Sequence, residues 1–84
     1  MTAREIKIAK SILQVLHDLD GGQAREVSLH GEAYVLCQCS RTEFEAVLHL
    51  CDVNGWLTGV QAKLGQGKKW SINDQGEAAL LEMA

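Results

Sequence analysis

Ser40-Arg41-Thr42-Glu43-Phe44-Glu45-Ala46-Val47-Leu48-His49-Leu50-Cys51-Asp52-Val53-Asn54-Gly55-Trp56-Leu57 is the stretch from which the rest of the chain can be read. It opens with the S/T-x-x-E form of a capping box. Ser40 and Glu43 would each satisfy a backbone amide that a first helical turn leaves without a partner. Phe44, Val47, Leu48 and Cys51 then recur at i, i+3, i+4 and i+7, one apolar stripe on a helix. Asn54-Gly55 ends it, and Trp56-Leu57 begins an extended segment. The pattern predicts a capped helix over 40–54 that runs directly into a strand.

Working toward the amino terminus, Thr2-Ala3-Arg4-Glu5 repeats the capping box. Ile6, Ala9, Leu13 and Leu16 follow as one stripe. Ile8, Ile12, Val15 and Leu19 form a second, which widens the apolar arc to about half the circumference. Asp20-Gly21-Gly22 ends this helix. So broad an arc in so small a chain is expected to need cover from outside its own domain. Ile8, Ile12, Val15 and Leu19 are therefore the candidate homodimer interface, with Leu81 as an addition.

Between the two helices, residues 24–40 support two readings. In one, Val27-Ser28-Leu29 is a short strand before a helix from about 30 to 37, with Ala33 and Leu36 inward. In the other, 26–29 and 32–37 form a hairpin that turns at His30-Gly31. Tyr34, Val35 and Leu36 favour strands.

Working toward the carboxyl terminus, Trp56, Thr58, Val60, Ala62 and Leu64 are predicted to share the core face of a strand. Leu57, Gln61 and Lys63 fall on the other face. Gly65-Gln66-Gly67 closes a hairpin. The return strand over 68–73 places Trp70 and Ile72 on one face, with Lys69 and Ser71 opposite. Asn73 or Asp74 caps a last helix that turns Gly76, Ala79, Leu80 and Met83 inward.

Composition bounds the function. The chain has 84 residues, read as one domain over 1–84, with 46% hydrophobic and 23% charged residues. That is globular rather than disordered. The net charge of −3 removes any argument from overall basicity. No apolar run is long enough to span a bilayer, and the amino terminus lacks a signal-peptide core. Three cysteines, an odd number, argue for a reducing compartment, so a cytoplasmic location is expected.

The order of these elements, carried by Ser40 to Leu57 and then by Trp70-Ser71-Ile72-Asn73-Asp74-Gln75-Gly76, resembles small winged helix-turn-helix DNA-binding domains of bacterial or phage-associated regulators. The resemblance spans nearly the whole chain and identifies no subfamily. It implies an α+β fold with a three-helix core, a β-hairpin wing over about 56–73 and a C-terminal helix. It further implies double-stranded DNA as partner, transcriptional regulation as function, and a recognition helix over 40–54. Carried over by position, the DNA-facing residues are Arg41, Thr42, Glu45, Ala46 and His49, with Lys63, Gln66, Lys68 and Lys69 from the wing. Arg41 would pair with guanine, Thr42 with a phosphate or thymine methyl, and Glu45 with cytosine.

Charge is distributed unevenly along the chain. Residues 55–73 hold Lys63, Lys68 and Lys69 and no acid, whereas 1–54 hold five basic against eight acidic residues. The basic residues thus gather where a wing would meet phosphates. Glu43 and Glu45, however, lie in the first turns of the predicted recognition helix, where acids suit the helix dipole. They also suit the other class of function, a winged-helix adaptor that binds proteins and not DNA, with Ala46, Leu50 and Val53 on its face.

Other chemistry is weak. Cys37, Cys39, Cys51 and His49 have the composition of a zinc site, but His49 and Cys51 diverge by about 200° on a helix. Buried free thiols are the better reading, and a thiol switch at Cys37 and Cys39 is a minor one. Gly65-Gln66-Gly67-Lys68 lacks the residues of a phosphate-binding or dinucleotide loop. No serine, histidine or carboxylate arrangement marks a catalytic site. The sequence therefore predicts neither an enzyme nor a cofactor.

Overall fold

Both capping boxes form. The computed structural model describes residues 1–61 and 67–83, apart from the Asp20 side chain. In it, the Thr2 hydroxyl accepts from the Glu5 amide at 3.1 Å, while the Glu5 carboxylate accepts from the Thr2 amide at 2.7 Å. Ser40 and Glu43 repeat the exchange at 3.1 and 3.0 Å. These boxes start α1 (Ala3–Asp18) and α3 (Arg41–Val53). After α1 a single 3-10 turn (Asp20–Gly22) leads to β1 (Gln23–Arg25), which passes without a connecting residue into α2 (Glu26–Cys37). β2 (Leu57–Gln61), β3 (Lys68–Ile72) and α4 (Asp74–Met83) complete the order. Among the described residues the result is an α+β fold of four helices and one antiparallel sheet, with strand order β1-β3-β2.

Residues 26–37 are helical, and the hairpin reading is overturned. α2 begins about four residues earlier than expected and buries Leu29, Ala33 and Cys37 at a spacing of four, so Leu36 turns outward. The strand precedes it at Gln23–Arg25 rather than at Val27. Gln38 then adopts the left-handed conformation (φ 53°), and its amide bonds back to the Tyr34 carbonyl.

β2 faces the core one residue out of step with expectation. The register pairs Leu57 with Ile72 and Gly59 with Trp70, so Leu57 is inward while Thr58 and Val60 face solvent. Trp56 lies just before the strand and packs against the core edge. The close approach at Gly59 sets this register, since a Cβ there would come within 2.8 Å of the Trp70 ring. The predicted positions of Ala62, Lys63, Leu64 and Gln66 lie outside the described residues.

The broad apolar arc of α1 is closed by the chain itself. α1 packs against α2, α3, α4 and β3, and Ile8, Ile12 and Val15 are buried in the resulting core. Ile8 and Ile12 are therefore not available to a partner and Val15 is nearly so, and of the expected dimer interface Leu19 and the added Leu81 stay exposed. Phe44, Val47, Leu48 and Cys51 enter the same core from α3, and Ala79 and Leu80 from α4. Of the two expected caps it is Asn73 that starts α4, its side-chain oxygen accepting from the Gly76 amide at 2.9 Å. Gly76 sits where a Cβ would collide with the Trp56 carbonyl, which locks α4 to the start of β2.

Candidate nucleic-acid interface

Because the stripe Phe44, Val47, Leu48 and Cys51 is turned inward, Arg41, Thr42, Glu45, Ala46 and His49 all emerge on the exposed side of α3. Their charges are already engaged. The Arg41 guanidinium donates to Glu45 at 2.9 Å and has Glu26 at 3.9 Å. Glu26, from the first turn of α2, also accepts the indole N–H of Trp70 at 3.1 Å. This chain of contacts ties α2, α3 and β3 together at one point.

Glu43 looks the other way. Its carboxylate caps α3 and takes two bonds from Arg4, at 3.1 and 3.3 Å. The adjacent guanidinium, followed by the Ser40 amide, holds its pKa at about 2. Arg4 also donates to the carbonyls of Cys37 and Gln38, so one α1 residue clamps the turn between α2 and α3. Glu43 is thus held by structural contacts to Arg4 and the α3 cap.

Two depressions flank the hairpin. The first, about 420 Å³, runs between the middle of α3 and β3. Glu26, Glu45 and Asp52 line it against Lys68 and His49, so this part of α3 is acidic. The second, about 580 Å³, lies between the starts of α2 and α3 and the hairpin. Arg25, Arg41 and Lys68 line it, with Glu26 as the single acid among the described residues. Lys69 stands directly opposite Arg25 across the β1–β3 pair. Like charges opposed on neighbouring strands repel, so this end of the sheet carries concentrated positive charge. Lys68 leans over the Trp70 ring with its ammonium 5.3 Å from the centroid.

The structure therefore brings together Arg41, Lys68 and, at the neighbouring strand position, Lys69 from the predicted set. It sets Glu45 and His49 along the acidic depression instead. Lys63 and Gln66 lie outside the described residues. Sequence reading missed Arg25, which is remote from the hairpin in the chain and joins it only through the β1–β3 register.

The thiols are sequestered. Cys37, Cys39 and Cys51 are free and buried. Burial, and then the Cys37 thiol beside it, pushes Cys39 up to about 11; burial alone pushes Cys51 up to about 12. Neither is an activated thiolate. Among the described residues no three His, Cys, Asp or Glu side chains converge where one metal ion could be held. No described helix is long and apolar enough to cross a membrane. Comparison with protein-family models, with curated proteins and with solved structures finds no match to this chain.

Proposed function

We propose that the chain is a winged helix that binds double-stranded DNA and acts as a small cytoplasmic transcriptional regulator. The observation that carries this reading is the meeting of Arg25, Arg41 and Lys68 in one groove, with Lys69 beside it. Four cations from β1, α3 and β3 suit a phosphate backbone, which supplies most of the affinity in protein–DNA contacts. In this reading the start of α3 approaches the duplex, the hairpin acts as the wing, and the acidic middle of α3 stays clear of phosphates. Thr42 and Ala46 are then the α3 residues best suited to base edges. The buried, unpaired thiols support the cytoplasmic part of the reading.

Fluorescence anisotropy of a labelled random duplex, titrated across a salt series, tests it. Binding should weaken steeply with salt, and Arg25→Ala or Lys68→Ala should each lower the log–log slope by about 0.9. A duplex that stays unbound at low salt overturns the reading. The acidic depression lined by Glu45 and Asp52 favours a second one, a protein-binding adaptor. That adaptor would bind basic segments and ignore DNA.

A further inference from the structure

We propose that the edge where α1 meets α2 seats a second copy of this chain in an isologous dimer. This does not rest on the DNA reading. α2 is apolar on more sides than its own core uses. Leu29, Ala33 and Cys37 are buried, yet Val35 and Leu36 remain 76% and 53% exposed. Beside them Leu19, the residue that follows α1, is 37% exposed. Together with Val15, Asp18 and Glu32 these side chains line a groove of about 210 Å³.

The charges along this edge identify the occupant. Arg4, Lys7, Ser11, Val15 and Asp18 follow one another at spacings of three and four, so they share one side of α1. Both ends of that side are located against α2. Arg4 reaches the Cys37 and Gln38 carbonyls, while Val15 and Asp18 line the groove with Glu32. Lys7 therefore sits at one end of the edge, and Asp18 with Glu32 at the other, about 16 Å away along the helix. Between them Ser11 is small, 8% exposed, and turns its hydroxyl back to the Lys7 carbonyl at 2.9 Å.

An edge that is basic at one end and acidic at the other complements itself under a two-fold rotation. With the axis midway between Lys7 and Asp18, about 2 Å past Ser11 along the helix, Lys7 of each copy meets Asp18 and Glu32 of the other. Val35 and Leu36 are then covered in the same operation. A uniformly basic partner would answer the acids but set a like charge against Lys7. The apolar pair supplies the affinity, and the charges set the register.

Sedimentation equilibrium of the full chain over a concentration series tests this. Wild type should show a monomer–dimer equilibrium. The double variant Val35→Gln, Leu36→Gln should halve the mass and unfold at the midpoint of dilute, monomeric wild type, since both side chains are exposed in the monomer. Lys7→Glu should weaken the dimer about tenfold, because the two-fold axis makes one substitution remove the rim ion pairs at both ends of the interface. Adding Asp18→Lys and Glu32→Lys to Lys7→Glu should restore it. A wild type that is monomeric at every concentration overturns the proposal. So does a dimer that survives the double glutamine variant, or a charge-swapped variant that dimerises no better than Lys7→Glu.

Discussion

Glu26 serves two neighbours, accepting the Trp70 indole on one oxygen and facing Arg41 with the other. Glutamine there keeps an acceptor for the indole but removes a charge that competes with phosphate for Arg41. Combined with Glu45→Gln, the change should raise affinity for a random duplex about tenfold at low salt, as expected for two exposed ion pairs. Anisotropy titration reads this, and an unchanged affinity would take Arg41 out of the interface. Gly59 is decisive for a different reason. Gly59→Val places a Cβ within 2.8 Å of the buried Trp70 ring. A loss of about 1–3 kcal/mol in chemical denaturation is expected. A stability equal to wild type would show that β2 does not hold this register.

At the scale of elements, the turn between α2 and α3 depends on Arg4 and Glu43. The folded-state pKa of Glu43 lies at about 2, below its ordinary 4.5. Its contribution is therefore present in full above pH 4.5 and is lost as pH falls from about 4.5 to about 2. Thermal unfolding followed through that window should show a decline in stability, and Arg4→Ala should flatten it. An Arg4→Ala variant with the acid profile of wild type would remove the guanidinium as the cause. Elements announced by local chemistry were readable in advance. Two capping boxes marked the starts of α1 and α3 before any tertiary contact was known, and Asn73-Asp74 narrowed the start of α4 to two positions. α2 offers no such mark. Its N-cap is Arg25, which makes no side-chain capping bond, and apolar residues on several of its sides erase the periodicity. The inward face of β2 was equally hidden, because it is set by the fit of Gly59 to Trp70 on another strand.

For the molecule as a whole, the breadth of the apolar arc on α1 has an internal cause. A helix surrounded by three others and a strand must be apolar on several sides. From sequence alone that is indistinguishable from a helix covered by a partner. Val35 and Leu36 stay exposed instead on α2, where one reading of the sequence turned Leu36 inward on a helix and the other put both in a strand. The cationic groove was half legible. Hairpin lysines stood out as a local run without acids, whereas Arg25 enters through a pairing between distant strands.

The contact between Trp70 and Glu26 also gives the protein its own optical indicator. The emission of an indole responds to charge placed near its N–H, and here that charge is shared with Arg41. Whatever draws Arg41 away from Glu26 therefore alters the light from Trp70. Occupancy of the groove becomes visible without any label.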